Sequence, residues 1–396
     1  VIITMATAGP IAAISALAEQ AANRVCADCV SAPPCAVSVN VGGAFVCGAC
    51  AVAHRQAGYR TRSIERDRWQ ESETAELQGN SVLAETLETR MPPFYRRPMP
   101  DDPAVIRMQF VLAKYKRGEF ANPARQAAYH RSGGGFVKSG RLMKRLTVPS
   151  VAAASVLHSG SGGSSSGGKF SQRLFELSER DNYLRYHSDD TSDSTVRASL
   201  PLDQLNVAMV GALIEMAHPH LMMISYPSGE YTRCLYVYHE DGEEIVAWYN
   251  AIRGCQYYRL RMSLVPPERL LQLSYEPRLA DWLYKTGPRL SEPWRRRWCL
   301  LLRRSLLYYS ASMQPLAKGE LWLGEAPAYQ VLTGPPTGLR RKSVGNHVFT
   351  VRTPERDYAF STDSADCCRR WVAAIADLLA VPPTPQDFLY CKKSST

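Results

Sequence analysis

The chain has 396 residues, more than one hydrophobic core usually serves, so the sequence predicts several domains. Its formal net charge of +10 at pH 7 indicates a polyanionic partner, which could be nucleic acid or the anionic face of a membrane. No run of about 18 uncharged apolar residues occurs, and the apolar beginning lacks a charged leader and a cleavage site, which predicts a cytosolic protein.

The first half of the chain changes composition twice. A short helix is predicted over 12–22, and a cysteine-rich block extends from there to about Gly58. Helix-like, charged sequence continues to Phe120. Glycine and serine then become abundant, and the run SGSGGSSSGG at 159–168 can bury almost no apolar surface, so a disordered insertion is predicted over 147–168.

Two copies of one pattern organise the second half. After Lys169, short apolar and aromatic runs alternate with turn residues, which is typical of an antiparallel all-β module. The segment 243–253 (EEIVAWYNAIR) is predicted to close this module with a helix, because its apolar residues recur every three or four positions. The pattern then repeats and ends in a second helix that carries Trp371, so the sequence contains an internal repeat.

Four of the eleven cysteines form two Cys-x2-Cys pairs, Cys26 with Cys29 and Cys47 with Cys50. Four thiolates on two such knuckles can complete a tetrahedral Zn²⁺ shell, so the spacing predicts one structural zinc ion. Two disulfides or four buried free thiols are the alternative, which the predicted cytosolic setting disfavours. Zinc alone does not define the function, because zinc ribbons also bind nucleic acid.

The residues after the second pair narrow the possible functions. The pattern Cys-x2-Cys-x17-Cys-x2-Cys-x4-Arg, which ends at Arg55, resembles the signature of ArfGAP domains, the GTPase-activating domains for Arf-type small GTPases. The resemblance implies that Arg55 is the catalytic residue. GTP hydrolysis develops negative charge on phosphoryl oxygens, and an arginine supplied by a second protein can accelerate it by about 10³ to 10⁵. The alternative is a solvated helix residue, or one that pairs with a nearby acid.

Three further segments are similar to the ArfGAP family: 63–69 (SIERDRW), 79–80 (GN) and 114–115 (KY). The chain departs from the family pattern at Cys35, where a tryptophan is usual, in a shorter segment between Gly58 and Ser63, and in a one-residue insertion around Val37. These departures bear on activity and partner choice more than on the fold.

The second β module carries a basic pattern that resembles pleckstrin-homology (PH) domains. Lys285 leads through a loop to Arg295 and Arg297, in the pattern Lys-x(n)-Arg-x-Arg. Strand alternation would send both arginines to one side, where with Lys285 they could surround the vicinal phosphates of an inositol ring. A merely basic, solvated hairpin is the alternative.

The first β module keeps similar cations, and Lys144, Arg145 and Arg173 are its candidate phosphoinositide-binding residues. The loop between them contains the insertion, whose ordering would cost conformational entropy on binding. Val151 and Leu157 in that loop could instead dip into a bilayer. An insertion with no role is the alternative.

One ArfGAP domain followed by two PH domains is the arrangement of the centaurin-alpha family, the Arf-GAPs with dual PH domains. The chain is similar to that family over about 21–385, including 238–242 (YHEDG) and 285–288 (KTGP). The resemblance implies a multidomain α+β fold. An ArfGAP domain with a four-cysteine zinc site, a zinc ribbon-like core and surrounding helices comes first. Two PH domains follow, each a seven-stranded antiparallel β-barrel or sandwich capped by a C-terminal helix.

The expected domain boundaries follow from these patterns. They are 12–128 for the ArfGAP domain, 138–256 for the first PH domain with its insertion at 147–168, 257–278 for a linker, 279–381 for the second PH domain and 382–396 for a tail.

The family resemblance implies a GTPase activator whose partner is a GTP-bound Arf protein, recruited peripherally from the cytoplasm to plasma membrane or endomembranes by phosphatidylinositol 3,4,5-trisphosphate. Hydrolysis would take place in the Arf active site, so the chain is not expected to be an enzyme by itself. A catalytically inactive adaptor that binds phosphoinositides and proteins is the alternative. A nucleic-acid-binding zinc ribbon is disfavoured, because the cations fit the PH pattern and no base-stacking aromatic array accompanies them.

Overall fold

The computed structural model describes residues 9–30, 33–100, 102–126, 129, 131, 133–146, 169–188, 195–214, 218–229, 231–261, 273–287, 289, 292–339, 342–384 and 387. The predicted disordered insertion at 147–168, with Val151 and Leu157, lies outside these ranges, as does most of the predicted tail. Within them, every helix is too short or too polar to cross a membrane.

The first helix begins earlier than the sequence predicts. Helix α1 spans Pro10–Glu19, and a separate 3₁₀ turn follows over Ala21–Arg24. Proline favours the first helical position because its fixed φ suits a helix and its missing N–H has no partner there in any case. The chain leaves the helix at Gln20, whose backbone is extended, so the predicted single helix over 12–22 is wrong at both ends.

A small antiparallel sheet with the strand order β2-β1-β3 forms the centre of the cysteine-rich region. Its strands and the helices that surround it are β1 (Ala36–Ser38), β2 (Ala44–Val46), α2 (Gly48–Gln56), β3 (Thr61–Ser63), α3 (Glu71–Ala75), α4 (Gly79–Leu87) and α5 (Ala104–Val111), which continues as a π-helix over Leu112–Arg117.

The Gly79 and Asn80 pair ties helix α4 to this sheet. The side chain of Asn80 accepts from the Phe45 backbone N–H at 2.8 Å and donates to the Val25 carbonyl at 2.9 Å. Gly79 has a φ of +82°, and an added Cβ would lie 3.0 Å from the Asn23 amide. The turn therefore requires glycine, and Asn80 satisfies backbone groups that would otherwise be buried without partners.

The first β module forms a seven-stranded sheet with the order β7-β6-β5-β4-β10-β9-β8. Its strands are β4 (Val137–Arg145), β5 (Phe170–Ser178), β6 (Tyr183–His187), β7 (Val196–Pro201), β8 (Asn206–Met209), β9 (Leu221–Ser228) and β10 (Tyr231–Tyr238). Helix α6 follows in the chain over Gly242–Arg261 and is longer than the predicted 243–253.

The second β module repeats this topology, with the order β14-β13-β12-β11-β17-β16-β15. Its strands and closing helix are β11 (Leu279–Lys285), β12 (Arg295–Leu302), β13 (Ser305–Tyr309), β14 (Gly319–Trp322), β15 (Gln330–Thr333), β16 (His347–Arg352), β17 (Asp357–Thr362) and α7 (Ala365–Leu379). Trp371 on α7 is fully buried against the sheet residues Leu283 and Phe349. The predicted multidomain α+β fold, with a cysteine-rich domain and two seven-stranded modules, is confirmed.

The described residues form two compact units, and the first combines the cysteine-rich region with Glu176–Asn182 and His239–Leu273. Within it, Arg253 donates to the Phe94 carbonyl at 3.0 Å, and Arg96 donates to the Tyr249 hydroxyl at 3.0 Å. An added Cβ on Gly254 would lie 2.6 Å from the ring of Phe136. These contacts explain why α6 continues beyond its predicted end, because its later turns also bury side chains.

The second unit contains most of both seven-stranded sheets. Buried side chains from β8 to β10 and from β12 and β13 form one hydrophobic cluster. At its centre the thiol of Cys234 lies 3.5 Å from the hydroxyl of Tyr309. Glu320 on β14 also accepts hydrogen bonds from Thr232 on β10 at 3.3 Å. The two sheets therefore share a core within this unit.

Candidate metal centre and cationic sites

The four predicted metal ligands meet at one point. Cys26 and Cys29 precede strand β1, Cys47 is the N-cap of helix α2, and Cys50 lies in the first turn of that helix. All four residues are buried, and their Sγ atoms lie within 4.8 Å of one another. Neither pair is a disulfide, because all four cysteines are free.

The spacing of the sulfurs fits a metal ion better than a disulfide. Zn–S bonds of about 2.3 Å in a tetrahedron place the sulfurs about 3.8 Å apart. The Cys29 and Cys47 sulfurs are 3.8 Å apart, whereas a disulfide bond measures about 2.0 Å. The donor set of four buried thiols therefore suits zinc in both type and spacing.

A buried arginine, which the sequence analysis missed, supports this centre. The guanidinium of Arg107 on helix α5 donates to the Cys50 Sγ at 3.2 Å and to the Met99 carbonyl at 2.8 Å. Burial alone disfavours the charged form, but the hydrogen bond to Cys50 raises the pKa of Arg107 above its ordinary value. A cation here compensates the negative charge that a four-thiolate centre carries.

A second polar network surrounds Asp28, which lies between the first two cysteines. Its buried carboxylate accepts from the Tyr115 hydroxyl at 2.9 Å, lies 3.0 Å from His54 Nε2 and lies 3.4 Å from Lys114 Nζ. Burial opposes ionisation, but the Lys114 charge and His54 together hold the pKa of Asp28 well below its usual range. Lys114 also pairs with Glu88 at 2.7 Å. These contacts explain the 114–115 pair, for which the sequence offered only a resemblance.

Replacement of Lys114 by methionine is expected to destabilise the first unit by about 3–5 kcal/mol, because Asp28 and Glu88 would both lose the buried ammonium that they share. Chemical denaturation with a fluorescence readout measures this change. Lys116→Met is the matched control, since Lys116 is exposed two positions further on and its replacement should cost about 0.5 kcal/mol or less. Equal stability of the two variants would contradict the structural role of Lys114.

Arg55 lies in the last turn of α2, on the exposed face of the helix. The neighbouring His54 is buried and contacts Asp28, which attaches the helix to the cysteine-rich core. The Arg55 guanidinium donates to the Thr61 hydroxyl at 2.9 Å, and within the described ranges it pairs with no carboxylate. A cation held on a rigid helix and free of acidic partners can reach the active site of another protein.

The structure describes Cys35 and the turn after Gly58, where the sequence analysis expects departures from the ArfGAP pattern. The Cys35 side chain is exposed, so it does not provide the buried anchor that a tryptophan could offer. After α2, Gly58 has a φ of +90°, and the Tyr59 N–H donates to the His54 carbonyl at 2.9 Å. This short turn leads directly into β3 and places Thr61 against Arg55.

In the second β module, the three predicted cations occupy neighbouring strand ends. Lys285 pairs with Arg295 and Leu283 pairs with Arg297, so both arginines lie on the same side of the sheet as Lys285. The Lys285 side chain is buried, and its Nζ lies 4.6 Å from the centre of the Tyr308 ring. Burial, together with the charges of nearby arginines, lowers the pKa of Lys285 to about 8.

In the first β module, only two of the three predicted cations come together. Lys144 is buried over the ring of Tyr186 at 4.9 Å, and burial and the charge of Arg173 lower its pKa. Arg145 follows Lys144 in the strand and points to the opposite face, where it donates to the Ser312 carbonyl at 2.9 Å. The structure therefore does not group Arg145 with the candidate phosphoinositide site.

Comparison with known proteins gives the same architecture. The ArfGap family, described as a GTPase activating protein for Arf, matches residues 11–124, and the PH domain family matches residues 277–380. The chain is 32% identical to Arf-GAP with dual PH domain-containing protein 2 of Rattus norvegicus and covers 93% of each chain. It is 30% identical to the Homo sapiens protein of that name, covering 96% of this chain and 94% of the relative. An ADP-ribosylation factor GTPase-activating protein (AGD12) of Arabidopsis thaliana is 34% identical over 27% of this chain and 34% of its own.

Proposed function

This chain belongs to the family of Arf-GAPs with dual PH domains, and we propose that it is a GTPase-activating protein for a GTP-bound Arf protein. The observation that carries the proposal is the position of Arg55, which is exposed on a helix whose other face is fixed at the four-cysteine centre. Arg55 acts in trans on the Arf-bound nucleotide, and its planar guanidinium can donate two hydrogen bonds to phosphoryl oxygens at once. Hydrolysis takes place in the Arf site, so this chain is the activator.

The proposed metal is one structural Zn²⁺ held by Cys26, Cys29, Cys47 and Cys50. Four thiolates complete a tetrahedral shell and leave no open position, so the ion stabilises the fold and takes no part in hydrolysis. Arg107 balances part of the negative charge of this shell through its hydrogen bond to Cys50.

Membrane recruitment is the proposed role of the two β modules. Lys285, Arg295 and Arg297 in the second module, with Lys144 and Arg173 in the first, bind the phosphates of phosphatidylinositol 3,4,5-trisphosphate at the cytoplasmic face of the plasma membrane or of endomembranes. Once one of the two sites has bound lipid, the second site is held close to the membrane. Recruitment should therefore increase steeply with the density of the lipid.

The proposed domains are the ArfGAP domain at 12–128, the two PH domains and a tail at 382–396. The first PH domain, expected over 138–256, is extended to Arg261 because helix α6 ends there. The linker shortens accordingly to 262–278, and the second PH domain covers 279–381.

The experiment that tests the activity follows GTP hydrolysis by a lipidated Arf protein on liposomes, with and without phosphatidylinositol 3,4,5-trisphosphate. The expected result is stimulation by the full chain that is much larger on vesicles containing this lipid. Absence of stimulation across several Arf proteins would contradict the proposal.

Replacement of Arg297 by alanine is expected to weaken binding to phosphatidylinositol 3,4,5-trisphosphate vesicles by about 10- to 100-fold, because a charge-assisted hydrogen bond contributes about 1.5–3 kcal/mol. Vesicle sedimentation measures this change. Arg369→Ala removes the same charge from the exposed side of α7 and should bind like the parent chain. Arg173→Ala tests the first module separately. If both Arg297→Ala and Arg173→Ala bind like the parent chain, these sites do not bind the lipid.

A second candidate function is a membrane-bound adaptor whose ArfGAP domain is inactive. The exposed Cys35, at a position where the family usually has tryptophan, favours it. The adaptor would bind phosphoinositide vesicles with the affinity of an activator but would leave the hydrolysis rate of every Arf protein unchanged.

A further inference from the structure

The two β modules share a cation that lies outside the Lys-x(n)-Arg-x-Arg pattern. Lys285 pairs across the sheet with Phe360, and the residue four positions before Phe360 is Arg356. Lys144 pairs with Val237 at the equivalent strand position, and the residue four positions before Val237 is Arg233. The internal repeat has therefore placed an arginine at the same register position in both copies.

Arg233 lies within β10, so strand alternation puts it on the same face as Lys144, whereas Arg356 lies in the turn directly before β17 and is placed by its contacts. Residues that pair directly in an antiparallel ladder share one face, as do residues two and four positions away. The contacts agree, since Lys285 Nζ lies 5.3 Å from the centre of the Tyr358 ring and the Arg356 guanidinium lies 4.2 Å from the same ring. Both cations therefore contact the same aromatic ring.

The turn that precedes β17 fixes the backbone of Arg356. The Thr353 hydroxyl accepts from the Arg356 N–H at 3.2 Å, and the Arg356 carbonyl accepts from the Thr353 N–H at 3.1 Å. An ion pair of 3.0 Å between Arg352 and Asp357 closes the same hairpin. A ligand that bound Arg356 would therefore find its backbone already ordered, which reduces the entropic cost of binding.

Arginine side chains lie near both lysines. Burial lowers the pKa of Lys285, the charges of Arg356 and Arg297 repel its ammonium and lower it further, and Cys299 and Glu292 act in the opposite direction. In the first module, burial and the repulsion from Arg173 and Arg233 lower the pKa of Lys144. Arg356 has no carboxylate partner among the described residues, whereas its neighbour Arg352 has one. A bound polyanion would relieve this repulsion, because it interacts favourably with every cation of the group.

We propose that Arg356 and Arg233 are additional phosphate-binding residues, one in each PH domain, and that they favour an inositol ring with more than two phosphates. The inference rests on the proposed membrane recruitment and deepens it. Lys285, Arg295 and Arg297 bind one side of the ring, and Arg356 reaches a further phosphate from the turn that precedes the last strand. The shared ligand chemistry is a polyphosphorylated inositol ring, either as a lipid headgroup or as a soluble molecule.

The test uses the full chain and the variants Arg356→Gln, Arg233→Gln and Arg356→Lys, with Arg369→Gln as the control of equal charge. Isothermal titration with soluble inositol 1,3,4,5-tetrakisphosphate measures the affinity for the headgroup without a membrane. Sedimentation with vesicles of phosphatidylinositol 3,4,5-trisphosphate, phosphatidylinositol 4,5-bisphosphate or phosphatidylserine measures the lipid forms. A thermal unfolding scan of each variant verifies that it is folded.

Arg356→Gln is expected to weaken binding of the soluble ring and of trisphosphate vesicles about tenfold, with a smaller loss on bisphosphate vesicles and none on phosphatidylserine. Arg233→Gln should act in the same direction at the first site, and Arg356→Lys should recover part of the loss because it keeps the charge. A loss confined to vesicles identifies the lipid as the only source of the ligand.

Parent-like binding of Arg356→Gln and Arg233→Gln would overturn the inference while leaving the proposed recruitment intact, provided that Arg297→Ala is defective. An equal loss on phosphatidylserine vesicles would also overturn it, because the arginines would then contribute only general surface charge. If neither the parent chain nor Arg297→Ala binds phosphoinositide vesicles more tightly than phosphatidylserine vesicles, the proposed recruitment is contradicted, and the inference with it.

Discussion

Replacement of Arg55 by alanine is expected to lower the GTP hydrolysis that this chain stimulates in Arf by about 10³-fold or more, the magnitude that a trans-acting arginine supplies. Without it, the charge that develops on the phosphoryl oxygens of Arf-bound GTP loses a cationic partner. The fold should survive, because Arg55 is exposed and, among the described residues, its side chain donates only to the Thr61 hydroxyl. Single-turnover hydrolysis on liposomes measures the rate.

Two further variants sharpen this measurement. Arg55→Lys keeps the charge but loses the planar donor pair, so only a small part of the stimulation should return. Arg24→Ala removes an exposed arginine from the 3₁₀ turn of the same domain and should leave the stimulation unchanged. Full stimulation by Arg55→Ala would show that Arg55 does not act in GTP hydrolysis.

Replacement of Cys50 by alanine is expected to lower the zinc content from about one ion per chain to about zero and to unfold the cysteine-rich region. In small zinc domains metal binding contributes about 10–16 kcal/mol of apparent folding free energy, far more than a domain of this size can spare. The variant would also leave the buried Arg107 without its sulfur acceptor. Elemental analysis and circular dichroism measure the two effects.

Cys35→Ala is the matched control for this prediction, because Cys35 is an exposed cysteine of the same domain that lies outside the four-sulfur cluster. It should retain one zinc ion and unfold like the parent chain. If Cys50→Ala keeps its metal, or if both variants lose it, the four-cysteine assignment is wrong.

The sequence determined those features that are encoded within one short segment or in a repeat. The spacing of the two cysteine pairs, the position of Arg55 five residues after Cys50 and the recurrence of strands before a helix all follow from local periodicity. Alternation along a single strand likewise predicted that Arg295 and Arg297 share one side of the sheet, which the strand register shows.

Local patterns failed where packing against distant residues set the outcome. Helix α6 continues to Arg261, and Gly254, just past the predicted end, is buried against Phe136; neither the length nor this partner is visible in the segment itself. Arg145 was grouped with Lys144 because it follows it in the chain. Alternation alone would have separated the two, and the tertiary structure directs Arg145 to the Ser312 carbonyl.

The contacts that buried charged residues make around the four cysteines are visible only in the tertiary structure. Arg107 reaches Cys50 across 57 positions, and Lys114 reaches Asp28 across 86 positions. Charge type and spacing along the chain cannot identify such pairs, because a buried ion pair forms only where the fold removes both groups from water together. Likewise, Arg356 becomes a candidate ligand only because the fold brings it and Lys285 to the same Tyr358 ring. The sequence by itself therefore specified the candidate metal ligands and the candidate catalytic residue, whereas the tertiary structure specified the buried residues that contact them.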